Sequence, residues 1–432
     1  MNKKILPILL SCFLTATALF NTHNIYAEGE NGVVPIKQPI ATSDGQPQIE
    51  ARFAFVIDYK TGRTLFEKNA DQKLYPASTT KMWTAYNVLQ NVKDLNKVVE
   101  IKDLPPIDGS SMYLENGESF TVKQLLQALL IHSSNDAAFV LGRYVGGGDI
   151  NKFIDIMNNE AKAVGATATH FNNPHGLPDE NHYTTAHDMG LMARQAMTND
   201  VFREIVKTPN IKFDADAVYP YERYFKNTNP LLTSDKTFNY RGAVTPIKYD
   251  IVDGIKTGFT DLAGKCLLTS ASKDDRRVIA AVFSSTNDGV AMDSRTLLDY
   301  GFDNYKNEAV MKSDDYVKSK NISFTKQKTL QYKPESDYNV LLKNGEQPKK
   351  YTVSTKLSSL NLPVKKGDVV GKAVIKTENE PNTEIKLVAM SDISYIVNVS
   401  TYEIKYVAVA AGCAIVLIGA IVIIVKRRRR RA

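Results

Sequence analysis

Cysteine is almost missing from this chain, with three in 432 residues: Cys12, Cys266 and Cys413. Cys12 falls in an apolar N-terminal run and Cys413 in an apolar C-terminal one, so residues 28–400 keep Cys266 alone and no disulfide can form within them. In "GKCLLTSA" that cysteine stands among strand-forming apolar residues and reads as a small core side chain. The six histidines are scattered and no Cys/His pair has zinc-ligand spacing, so neither a metal nor any other cofactor is expected. Excess charge is missing too. The formal +7 sits at the ends, where Lys3, Lys4 and the run Lys426–Arg431 hold eight positives, and residues 28–425 balance to −1. No basic face for nucleic acid is implied. Internal repeats are absent, as is low-complexity sequence outside the basic tail.

What is present begins with two terminal signals. Lys3 and Lys4 precede an uncharged run from Ile5 to Phe20, and Ala27 closes a short polar stretch, the layout of a signal peptide over residues 1–27. Tyr406–Val425 is 20 residues without a charge, enough at about 1.5 Å per residue to cross about 30 Å of hydrocarbon. The basic tail 426–432 follows it, and clustered Lys and Arg stay on the cytoplasmic side. A single C-terminal span in the cell membrane is expected, with the body of the protein outside.

Between these ends the chain is 43% hydrophobic and 23% charged over its full length, ample for two or three packed domains. Residues 28–50 are polar, with Gly and Pro and no periodicity, and read as an extended leader. "ARFAFVIDYKTGRTLFEKN" reads as two strands about a Gly62 turn. Apolar residues recur at three and four over Ser78–Asn91, Thr121–His132 and Asp136–Val145, as helices require. Thr121 with Gln124, and Thr185 with Asp188, have capping-box spacing or close to it. "YDIVDGIKTG", "GKCLLTSASK" and "RRVIAAVFSS" read as three strands, the last two joined at Asp274–Asp275, and "DSRTLLDYGFDNY" as a helix. Strands and helices mixed in this way predict an α/β domain over 51–305, a sheet flanked by helices. Short alternating segments such as "YTVSTKL" and "EIKLVAM" predict a small all-β domain over 306–400.

The chemistry is signalled by "PASTTK", which sets Ser78 three residues ahead of Lys81, one face of a helix start. The spacing alone is cheap, since Ser270/Lys273 and Ser323/Lys326 repeat it. Its companions follow in order: "HSSNDAA" supplies Ser133 and Asn135 at a junction of helices, and "VDGIKTGFT" supplies Lys256, Thr257, Gly258 and Phe259 on a strand. A second Lys-Thr-Gly at Lys60 lies in the hairpin turn and is read as structural. His175 and His182 are read as hydrogen-bonded loop residues, and Asp188 as a helix-start carboxylate.

This three-part order resembles the penicillin-recognising serine acyl transferases. "PASTTKMWTAY", "LLIHSSNDAA", "THFNNPHGLPDENHYTTAHDMGLMAR" and "VDGIKTGFTDLAGKCLLTSA" are similar to low-molecular-mass penicillin-binding proteins that are D-alanyl-D-alanine carboxypeptidases, and "PVKKGDVVG" extends the likeness into the β domain. The resemblance implies an α/β (α+β) transpeptidase-like domain with an antiparallel sheet and a helical lobe, above a β-rich stand-off domain. It implies Ser78 as nucleophile, Lys81 as its base and Ser133 as proton relay. Asn135 would bind the substrate amide, Lys256, Thr257 and Gly258 would form the wall facing the substrate carboxylate, and the backbone N–H groups of Ser78 and Phe259 the oxyanion hole. Acting as a base at neutral pH asks of Lys81 a shift of roughly three units, about 4 kcal/mol. The implied partners are a stem peptide ending in D-Ala-D-Ala and β-lactams as covalent inhibitors. One departure stands out: Phe259 occupies a position where the family often has histidine, and no arginine is assigned to the substrate carboxylate. Transpeptidase or β-lactamase activity on the same acyl-enzyme, and a non-catalytic wall-binding scaffold, are the alternatives; the lack of a Glu-x-x-Leu-Asn between Asn135 and Lys256 speaks against β-lactamase activity and for slow turnover of penicillin.

Overall fold

A computed structural model describes residues 45–378, 381–396 and 401–429, so the expected signal peptide, most of the leader and the last three residues lie outside the described residues. The described chain forms two compact units that meet in sequence at Phe302–Asp303.

In the first unit, β1 (Phe53–Asp58) and β2 (Thr64–Lys68) form the expected hairpin. The Asp58 carboxylate accepts from the backbone N–H and hydroxyl of Thr61, both at 2.8 Å, and Gly62 takes a φ of +73°, so Lys60–Gly62 is a turn. A 3₁₀ turn (Ala77–Thr79) leads into α1 (Thr80–Asn91). Every residue from Thr80 to Val88 is buried, as befits a helix enclosed on all sides, and the Trp83 indole donates to the Met157 carbonyl at 2.9 Å. β3 (Val98–Glu100) pairs with β4 (Ser119–Thr121), after which Thr121 and Gln124 close a full capping box on α2 (Val122–Gln127). The helix expected to reach His132 instead loosens into a π-helical turn (Ala128–His132) and ends at Ser133 with a left-handed φ of +72°. α3 (Asn135–Val145) starts at once, followed by α4 (Ile150–Ala163), α5 (Ala186–Ala196) and α6 (Asp200–Val206).

Two hairpins and a short turn come next: β5 (Asn210–Phe213) with β6 (Arg223–Lys226), α7 (Pro230–Thr233), then β7 (Thr237–Tyr240) with β8 (Ala243–Pro246). The three expected long strands follow as β9 (Val252–Thr260), β10 (Gly264–Lys273) and β11 (Arg276–Ser285), before α8 (Gly289–Asp303). Asp274 and Asp275 both take positive φ, the requirement of a two-residue hairpin turn. These strands and the first hairpin make one antiparallel sheet in the order β2-β1-β11-β10-β9, which leaves β9 as an outer strand. A continuous core joins the sheet to α1–α5 through Phe55, Trp83, Phe153, Phe171 and Phe283. Cys266 lies in that core, 2% exposed, with burial pushing its thiol up to about 12.

Up to its last helix, the described part of the second unit is β-sheet with one 3₁₀ turn (Ser313–Asp315). β12 (Tyr305–Met311), β13 (Lys318–Asn321), β14 (Thr329–Pro334), β15 (Tyr338–Lys343), β16 (Tyr351–Leu357), β17 (Val369–Thr377) and β18 (Thr383–Ala389) form a five-stranded sheet, β13-β14-β18-β17-β16, and the pair β12-β15. Leu330, Val370, Leu387 and Ile393 centre its core. α9 (Thr401–Arg429) contains a 22-residue stretch, Tyr406–Arg427, long and apolar enough to cross a membrane.

Candidate active site

Ser78 sits in the 3₁₀ turn at the head of α1, and Lys81 lies one turn later on the same face, as the spacing requires. The Lys81 ammonium donates to Ser78 Oγ at 2.9 Å and to the His175 carbonyl at 2.7 Å. Its side chain is wholly buried. Burial, then repulsion from Lys256, holds its pKa well below the ordinary lysine range, with Asp136 pulling weakly the other way.

Opposite this pair runs β9. Lys256 is buried, donates to the Thr257 carbonyl at 2.9 Å, and is brought down to about 7 by desolvation. Thr257 is partly exposed, and its hydroxyl lies 2.5 Å from that of Thr228. Gly258 allows a close approach, because a Cβ there would stand 3.1–3.2 Å from Thr79 N, Ala77 Cβ and Pro76 O. The outer strand is thus laid directly along the turn that carries Ser78. Phe259 is 51% exposed, and the Lys265 ammonium, from its partner position on β10, lies 4.0 Å from the centre of the ring.

The third wall is the junction at Ser133. The π turn and the left-handed residue reorient the chain so that Ser133, Ser134 and Asn135 are all buried where α3 begins. Asn135 Nδ2 donates to the Asp108 carbonyl at 2.5 Å, while its Oδ1 is buried with no protein partner. A buried acceptor left without a donor costs about 1–3 kcal/mol, and such costs collect where a ligand will bind.

Several further groups hold this arrangement, and Asp136 is one whose role carried no sequence signal. Asp136 accepts from Ser111 Oγ (2.6 Å), Met112 N (3.2 Å) and Leu114 N (3.0 Å), which ties the 108–114 loop to α3. His182 is neutral, its pKa lowered to about 4 chiefly by burial. Its Nδ1 accepts from Asn172 N at 3.0 Å, so Nε2 carries the proton and donates to Thr80 Oγ1 at 2.9 Å, which locks the head of α1 to the loop that supplies the His175 carbonyl. His175 is lowered to about 3 by burial and by Lys81. Asp188 takes its expected place in the first turn of α5, accepting from Ala168 N and Thr169 Oγ1. Among the described residues no cluster of His, Cys, Asp or Glu could hold a metal ion.

The sequence model for D-alanyl-D-alanine carboxypeptidases matches residues 40–287, and that for the C-terminal domain of penicillin-binding protein 5 matches residues 305–395. The D-alanyl-D-alanine carboxypeptidase DacF of Bacillus subtilis is 31% identical over 352 residues, 80% of this chain and 86% of that one. Among solved structures, D-alanyl-D-alanine carboxypeptidase DacD from Francisella tularensis aligns with a TM-score of 0.58 at 27% identity, covering 86% of this chain and 99% of that chain. The Streptomyces K15 DD-transpeptidase aligns with 0.53 at 30% identity, covering 60% and 99%.

Proposed function

Because this chain belongs to the family of D-alanyl-D-alanine carboxypeptidases, we propose that Ser78 is the nucleophile with which it removes the terminal D-alanine from peptidoglycan stem peptides. The observation that carries the reading is the 2.9 Å contact between Ser78 Oγ and a buried lysine whose proton affinity has been lowered.

Neutral Lys81 takes the hydroxyl proton as Oγ attacks the carbonyl between the two D-alanines. The oxyanion faces the backbone N–H groups of Ser78 and Phe259. Collapse breaks the amide bond, the departing amine receives the proton through Ser133, and an ester on Ser78 remains for water to hydrolyse. Asn135 Oδ1, without a protein donor, accepts from the substrate amide. Lys256 and Thr257 bind the substrate carboxylate. A β-lactam presents the same carbonyl and carboxylate but keeps its leaving amine tethered, so it acylates Ser78 and is released slowly. α9 anchors the enzyme in the cell membrane with both β-containing units on the outer side. Since one relative is a DD-transpeptidase, transfer of the acyl group to an amine is the competing outcome, set by whether water or amine reaches the ester.

The test is intact mass of the full-length protein in detergent after benzylpenicillin, and release of D-alanine from a pentapeptide with and without an amine acceptor. A single adduct and free D-alanine, both lost in Ser78→Ala, are expected. A folded wild type that takes no adduct and releases nothing would overturn the assignment.

A further inference from the structure

The side of the site built on α3 continues into two loops that expose tyrosines. On the first, Asn135 N donates to the Ser110 carbonyl at 2.7 Å and Asp136 holds residues 111–114, yet Tyr113 is 67% exposed with a φ of +60°. A left-handed backbone is costly for a bulky aromatic residue, and such strain gathers at ligand sites. On the second, Asp216 Oδ1 caps a tight turn by accepting from Val218 N and Tyr219 N at 2.8 and 2.7 Å, and the Tyr219 and Tyr221 rings meet edge to face at 5.7 Å. Tyr221 is also 67% exposed.

One guanidinium clamps the two loops. Arg223, its side chain 3% exposed, donates to both Glu118 carboxylate oxygens at 2.8 and 2.9 Å and to the Tyr113 carbonyl at 2.8 Å, and packs 3.7 Å from the centre of the Tyr219 ring. A buried ion pair is a costly way to gain stability, and its better-attested use is to fix one geometry. Here it fixes where Tyr113, Tyr219 and Tyr221 stand. Lys212 pairs with both Asp214 and Glu222, at 3.4 and 2.6 Å, so among the described residues no unpaired cation flanks the aromatic faces and phenol hydroxyls that this surface offers.

We propose that Tyr113, Tyr219 and Tyr221 form a subsite for the amino-sugar rings of the glycan strand that bears the stem peptide. This rests on the peptidase reading above. A pyranose has an apolar C–H face and a polar rim, the counterpart of a tyrosine's flat face and hydroxyl, and tyrosine offers such contact at low entropy cost. The reach is suitable. Four extended residues separate the scissile bond from the sugar, about 14 Å, and Tyr113 lies three residues, at most about 11 Å, from the Ser110 carbonyl bound to Asn135.

The test compares kcat/KM for a free pentapeptide with that for the same pentapeptide on its disaccharide, in the wild type, Tyr113→Ala/Tyr221→Ala and Tyr113→Phe/Tyr221→Phe. The wild type should prefer the disaccharide substrate. The alanine pair should lose about tenfold on it, through KM, with less than twofold change on the free peptide, and the phenylalanine pair should keep most of the preference. Absence of a wild-type preference, or equal loss on both substrates, overturns the subsite. If the wild type cleaves neither substrate the peptidase reading fails, and calorimetry of a peptide-free glycan oligomer with Ser78→Ala decides the subsite alone: binding lost on adding the alanine pair supports it, and no binding overturns it.

Discussion

Lys81 and Lys256 are both wholly buried and both surrender protons more readily than free lysine, yet the proposed mechanism asks opposite charges of them. In that mechanism Lys81 is neutral, to accept the serine proton, and Lys256 is charged, to hold a carboxylate. With Lys256 near pH 7 in the free enzyme, kcat/KM should fall on the alkaline side from about that pH. A bound carboxylate favours the ammonium, so the alkaline limb of kcat should lie at higher pH, a separation that pH–rate profiles of the two parameters will reveal. The same burial has a stability consequence. The folded pKa lies below the unfolded value near 10.4, so between about pH 7 and 10 the unfolded chain binds more protons and stability rises with pH. Lys256→Met should therefore stabilise the protein at pH 7 by about 2–4 kcal/mol, with the gain shrinking toward pH 10, as denaturant titrations at both pH values will measure. At this scale the proposed site residues Ser78, Lys81, Ser133, Asn135 and Lys256–Phe259 could be picked out because each motif is contiguous. Asp136 and Thr228 could not, and His182 was read as a hydrogen-bonded loop residue but without its partner, because Thr80 and His182 are 102 residues apart.

At the scale of elements, the turn carrying Ser78 is approached closely by Gly176 and Gly258 on neighbouring segments. Ala77, directly before Ser78, has a left-handed φ of +47°, and its carbonyl lies where a Cβ on Gly176 would be, 1.9 Å away. Gly176 itself has a φ of +89°. Gly176→Ala should thus displace the turn or the loop bearing the His175 carbonyl, reducing penicillin acylation at least 100-fold and lowering Tm, as mass-spectrometric kinetics and calorimetry will record. The main strands were readable as apolar runs bounded by turn signals, and α1 and α3 because their apolar residues recur at three and four. The π turn at Ala128–His132 was not, since its apolar residues continue the helical pattern unbroken and the departure is made by the backbone. The β5–β6 and β7–β8 hairpins also escaped notice. Their strands have four residues each, too short a window to show period 2 even in β5, where Ile211 and Phe213 alternate into the core.

For the whole molecule, the apolar stretch of α9 and the masses of β-sheet before it carry separate tasks. Deleting everything after Ser400 should yield a protein that partitions into the aqueous phase and still releases D-alanine from a soluble pentapeptide at a rate within about threefold of the full chain. A folded truncation without peptide cleavage would mean that the anchor also shapes the site. The two-unit organisation was visible as a change of pattern near residue 305. The strand order was not, because no local feature announces that β1 pairs with β11 across more than 200 residues.

That pairing also sets a schedule. Ser78 and Lys81 belong to the first third of the chain, whereas Lys256 and Thr257 lie on an outer strand joined to β1 only through β10 and β11. A chain made from its N-terminus cannot complete the sheet until residue 285 has emerged, and contacts so distant in sequence form slowly. The proposed nucleophile is therefore synthesised long before its opposite wall exists, and the site can be complete only once about two-thirds of the chain has been made.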